Sequence, residues 1–183
     1  MAYGIYSSGW SGVINANYTD NTVKADSNVV YAFELMGTNE NVENNTIVAS
    51  GNYTTGIATN SKNITIENNN ITTSGKEKAN SNITGDTFGA MTVGINVKNS
   101  NNATIKNNNI TTTGDYAVKI TVLNNGLVSD NYLIADSRKG DESVSGNAVV
   151  ENNIPSKIVV NIEASDLTKY YKNASQYVIK LVD

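Results

Sequence analysis

The sequence predicts an all-β chain, a right-handed parallel β-helix of five to six coils of about 24 residues each, and three observations carry that prediction. The phrase NITIENNNITTSG (63–75) returns almost unchanged as NATIKNNNITTTG (102–114). Apolar residues within each copy stand two apart, the period of a strand, and turn formers bound them. A third short apolar run closes each period and in most copies ends in an Asn-Ser, Asn-Asn or Thr-Asn step.

The apolar residue after the asparagines fixes the alignment. Ile71 and Ile110 anchor the two clear copies, and looser copies place Val23, Ile47 and Leu133 in the same column. These anchors recur with a period of about 24 residues, broken once by an insertion of about 15 residues between Ile71 and Ile110. Five residues before the anchor stand Tyr18, Val42, Ile66, Ile105 and Val128, which end a first strand. Three before it are Asp20, Asn44, Asn68, Asn107 and Asp130, and two before it, without exception, Asn21, Asn45, Asn69, Asn108 and Asn131. Ala25, Ala49, Thr73, Thr112 and Ala135 follow two after it, and Ser or Gly stands four after it.

The invariant asparagines have a structural reading. A tight corner needs the left-handed backbone conformation, which Asn tolerates well, and a column of identical amides can bond from coil to coil. The expectation is an asparagine ladder at one corner. Simple enrichment in Asn would not hold this register.

The third strand of each coil reads as YGIYSS (3–8), VVYAFELMG (29–37), TTGIATNS (54–61), TVGINVKNS (92–100), YAVKITVLNN (116–125) and GNAVVENN (146–153). Strands stacked at about 4.8 Å give a rod core of roughly 25–30 Å. Each coil offers few large apolar residues, so stability is expected from cooperative stacking between neighbours.

Two segments leave the pattern. GKEKANSNITGDTFGA (75–90) must loop out from one corner and carries Phe88, a candidate contact. Pro155, the single proline, ends the solenoid at 1–155, and 156–183 reads as β-hairpin material, either a cap or the start of a following module. MAYGIYSSG already reads as a coil strand, so the expectation is a longer solenoid before residue 1 and no signal peptide.

Composition narrows the function. With 13 Lys and Arg against 17 Asp and Glu, and Arg138 the one arginine, no basic stripe exists to meet a phosphate backbone, so nucleic acid is not an expected partner. No apolar run reaches the length of a membrane span. The absence of His and Cys removes Ser-His-Asp and Cys-His catalysis and zinc sites of the His/Cys kind. No metal and no cofactor is expected. Sequons recur at Asn17, Asn44, Asn52, Asn63, Asn70, Asn82, Asn102, Asn109 and Asn173; they are compatible with export, and chance in an Asn- and Thr-rich chain also produces them.

Carboxylate chemistry is read by register. Four before the anchor stand Thr19, Glu43, Glu67, Lys106 and Ser129, which reads as a solvated charge ladder with Glu67 paired to Lys106; a retaining glutamate pair is the alternative. Asp136, Arg138, Asp141 and Glu142 read as a polar turn. Aromatic residues are the candidate glycan or partner contacts: Trp10 and Tyr6 in the first coil, with Tyr3 and Tyr18 nearby, against the alternative of end capping, and Tyr170 and Tyr171 in the tail, against the alternative of packing in the terminal hairpin.

The coils ITIENNNITTSG and ATIKNNNITTTG, followed by ASDLTKYYKNASQYVIKLVD, resemble the adhesin-like surface proteins of methanogenic archaea. The resemblance implies pectate-lyase-like β-helix repeats leading into an immunoglobulin-like module, and a role at the extracellular cell surface in adhesion. The implied partner is a surface glycan or protein. The expected function is a non-catalytic structural and adhesion module. The alternatives are a fibre subunit that self-associates end to end or by tail-strand exchange, and a β-helix polysaccharide lyase or hydrolase.

Overall fold

A computed structural model describes residues 1–8, 14–77, 79–80, 87–136, 142–155, 158–162 and 177–181. It is an all-β parallel solenoid of about five turns, each of about 24 residues. The first face of the coil is built by β2 (Ile14–Thr19), β4 (Thr38–Glu43), β6 (Asn63–Glu67) and the second halves of β10 (Val93–Lys106), β12 (Tyr116–Ser129) and β14 (Glu142–Glu151). The second face stacks the opening halves of β3 (Thr22–Leu35) and β5 (Thr46–Thr59) with β7 (Asn70–Gly75), β11 (Asn109–Thr112), β13 (Tyr132–Ile134) and β15 (Ile154–Pro155). The third face stacks β1 (Ala2–Ser7) on the closing half of β3, then β5 and the opening halves of β10, β12 and β14.

The register agrees with the sequence columns. Ile47 pairs with Ile71, Ile71 with Ile110 and Ile110 with Leu133, so the long step from Ile71 to Ile110 is absorbed without a slip. Val23, Ile47, Ile71, Ile110 and Leu133 point inward and pack with Val42, Ile66, Ile105, Val128 and the third-face residues Phe33, Ile57 and Ile95 in one continuous core. Two third-face glycines are dictated by this packing: a Cβ on Gly56 would stand 2.6 Å from Ile71 Cγ2, and one on Gly94 would stand 2.2 Å from Ile110 Cγ2.

The described residues of the insertion pack back on the solenoid, where the sequence suggested a loop projecting from a corner. Its short strands β8 (Ala79–Asn80) and β9 (Ala90–Met91) pair antiparallel, and Phe88 packs with Val29, Tyr31, Ala58 and Ala90 on the outside of the third face. Lys98 Nζ ties it down by donating to Thr87 O at 2.7 Å. Beyond Pro155, β16 (Ile158–Ile162) and β17 (Tyr177–Leu181) form their own two-stranded sheet, and they pair in parallel where the sequence suggested a hairpin.

Candidate functional site

The corner asparagines form an unbroken ladder. Asn21, Asn45, Asn69, Asn108 and Asn131 each donate from Nδ2 to Oδ1 of the asparagine on the following coil, at 2.9–3.0 Å. The same Oδ1 accepts the backbone N–H of the preceding ladder residue, as in Asn45 N–H to Asn69 Oδ1 at 2.9 Å. The Nδ2 groups also donate to backbone carbonyls, Asn69 to Val42 O and Glu67 O and Asn108 to Ile66 O and Lys106 O. The ladder thus satisfies the corner's buried polar groups with side chains instead of water.

Two details go beyond the sequence reading. The ladder has a sixth rung, Asn153: GNAVVENN (146–153), expected as a third strand, instead runs along the first face, Ala148–Glu151 beside Gly126–Ser129, into the ladder corner, and Pro155 occupies the anchor column. The left-handed backbone falls one residue earlier than the rung, on Asp20, Asn44, Asn68, Asn107, Asp130 and Asn152, all with φ between 54° and 57°. The first residue of each pair turns the chain, and the second bonds the coils.

A second ladder, not expected from the sequence columns, runs along the start of the first face. Asn39 donates to Asn15, Asn63 to Asn39, Asn102 to Asn63 and Asn125 to Asn102, at 2.5–3.1 Å, all exposed. These residues stand eight before the anchor in every coil, so the same alignment contains the signal.

One carboxylate enters the interior. Glu40 shares an inward column with Ala16, Ile64, Ala103, Gly126 and Ala148 and is 2% exposed. Its Oε1 accepts from Ser7 Oγ at 2.9 Å and from Tyr18 OH at 3.2 Å, and its Oε2 accepts the Gly37 N–H at 3.0 Å. The Tyr18 ring packs edge-on against Phe33, 6.1 Å between centroids. The Tyr18 phenol is raised above its ordinary value, mainly by removal from water; the Ser7 hydroxyl opposes the shift and the Glu40 carboxylate adds to it. The cluster binds the first coil to the second and lies inside the solenoid, so it reads as a structural joint. Alignment seven before the anchor would have found it.

The outer surface of the third face carries aromatic rings. Tyr31 is buried between Tyr3, stacked at 6.0 Å, and Phe88 at 6.2 Å. Tyr6 and Tyr3 are exposed, 5.2 Å apart. Of the candidate contacts among the described residues, Tyr6 is on the surface, with Tyr3 beside it. Phe88 is a correction: its ring holds the insertion against Tyr31 and is not presented to a partner. Trp10, Tyr170 and Tyr171 lie outside the described residues. Beside the insertion is a cavity of about 150 Å³ between Ala79 and Met91 on one side and Val93, Tyr116, Asp115 and Lys119 on the other.

The charge ladder is rearranged. Glu43 and Glu67 are register neighbours, and Lys106 is Glu67's neighbour on the next coil, yet the Lys106 ammonium reaches Asp130 Oδ2 at 4.0 Å, both side chains well solvated. Among the described residues no group of three or more Asp and Glu is arranged to hold a metal ion. Arg138 and Asp141 lie outside the described residues, as does the Glu142 side chain. No protein-family model matches this chain, and no curated protein or solved structure matches it.

Proposed function

We propose that this chain is a non-catalytic structural module of an extracellular adhesion protein, a stiff rod that holds other surfaces at a distance. The observation that carries the reading is the unbroken ladder from Asn21 to Asn153. Among the described residues it joins each coil to the next by the same hydrogen bonds, buried in the middle of the ladder and part-buried at its two ends, and the outer ladder from Asn15 to Asn125 repeats the device at the surface. Coils joined by identical nearest-neighbour contacts resist bending as a unit, which is what a spacer requires. The resemblance of the coils and tail to archaeal adhesin-like proteins supports the surface location, and Tyr6 beside Tyr3 offers an exposed aromatic contact for a glycan.

The test is light scattering and negative-stain imaging across a concentration series, followed by incubation with acidic and neutral polysaccharides. Monomeric rods that leave every polysaccharide uncut support the module. Concentration-dependent filaments would replace it with the fibre subunit, and new reducing ends or unsaturated products would replace it with a polysaccharide-cleaving enzyme.

A further inference from the structure

Two outward columns change character in the last two coils. On the first face the column runs Asn17, Asn41, Thr65 and Thr104 and then becomes Leu127 and Val149. On the second face it runs Thr22, Thr46, Asn70 and Asn109 and then becomes Tyr132 and Ile154. Val149 is 57% exposed, Ile154 55% and Tyr132 42%. Both columns flank the ladder corner, so an apolar strip lies on either side of it at one end of the rod. Small polar residues serve the first four coils well on both columns. A switch to large apolar residues in register marks a surface that is meant to be covered.

The chain supplies a cover of the right chemistry at the right place. Pro155 lies next to Ile154, and Ile158, the first residue of β16, is three residues on, at most about 11 Å away along the chain. The strands IVVNI and YVIKL pair over five positions, and a two-stranded sheet standing alone is marginal in water unless an apolar face packs on something. The tether makes that encounter intramolecular, at high effective concentration. We propose that the β16–β17 sheet docks on the Leu127/Val149 and Tyr132/Ile154 strips and is held rigidly against the rod. The inference stands independently of the adhesion reading.

The chain has no cysteine, so single thiols report burial directly. Val149→Cys and Ile154→Cys are compared with Thr46→Cys, an exposed site in the same column as Ile154, in the full chain under native conditions. Docking predicts that a thiol reagent modifies positions 149 and 154 at least about tenfold more slowly than position 46, at every protein concentration, because access requires local opening. Equal rates at all concentrations would overturn the proposal. Protection that appears only as concentration rises would also overturn it, in favour of a second copy on the strips. Hydrogen exchange gives a second readout: the Val149→Asp, Ile154→Asp double variant is expected to lose protection in β16 and β17 while β5 and β10 keep theirs, and unchanged protection in β16 and β17 would refute the docking.

Discussion

The side-chain oxygen of Asn69 accepts two hydrogen bonds from Asn45, one from its Nδ2 and one from its backbone N–H, both at 2.9 Å and both buried. One amide therefore closes two donors of the coil before it, while its own Nδ2 closes Val42 O and Glu67 O. Removing the side chain takes the acceptor from the buried Asn45 N–H, whereas Asn45 Nδ2 keeps Tyr18 O and Glu43 O, and Glu67 O keeps the Asn44 N–H.

Asn69→Ala should destabilise the chain by roughly 3 kcal/mol: the buried Asn45 N–H left without an acceptor costs about 1–3 kcal/mol, and the other hydrogen bonds of the lost amide add about 1 kcal/mol. Asn21→Ala, at the half-buried end of the ladder with one neighbouring rung, should lose only about 1 kcal/mol. Urea unfolding of the two variants measures the difference. Equal losses would mean that the ladder is not cooperative.

The neighbouring position separates turning from bonding. Asn68 holds φ at 56° and is exposed. Asn68→Gly should stay within about 0.5 kcal/mol of the parent, whereas Asn68→Val, β-branched and forced left-handed, should lose roughly 2 kcal/mol. Asn69→Gly, by contrast, should behave like Asn69→Ala. A thermal melt series of these variants distinguishes the two roles.

The period and the inward columns are legible in the sequence because parallel stacking sets the same local problem once per coil, and Ile71 and Ile110 solve it identically. The division of labour between Asn68 and Asn69 is not, since backbone conformation leaves no separate mark when both positions are asparagine. Glu40 escapes notice because a lone charge in TNEN looks like turn chemistry; its column companions Ala16 and Ile64 reveal it only when the register is carried back to the start of the first face. Phe88 misleads for a related reason. Sequence places it in an insertion, and nothing local says that Tyr31, two coils earlier in the chain, presents an outward ring to receive it.

Tyr18 gives the fold an alkaline limit. Its phenol ionises at a higher pH in the folded chain than the ordinary 10.0 it has when unfolded. Below pH 10 the phenol is neutral in both states and stability is indifferent to it. Above that value the unfolded chain releases the proton first, so the folded state loses stability until the folded group ionises in turn. Chemical denaturation at intervals between pH 8 and pH 11.5 should show a decline that begins near pH 10. Tyr18→Phe should start less stable by about 1 kcal/mol, having lost the hydrogen bond to Glu40, and should show a shallower decline.

Phe88 tests how the insertion is attached. Its ring is buried against Tyr31, on the outside of the third face and apart from the main core. Phe88→Ala would forfeit about 3–5 kcal/mol if the site were rigidly part of the global fold. The pairing of β5 with β10 does not run through Phe88, since Val93, Ile95 and Val97 hold their register with Thr55, Ile57 and Thr59 directly. The expected outcome is a global unfolding free energy within about 1 kcal/mol of the parent together with a rise of at least about tenfold in proteolytic cleavage within 75–90, the signature of local opening. A large global loss with no change in local cleavage would mean that the insertion is an integral wall of the solenoid and that the third face cannot form without it.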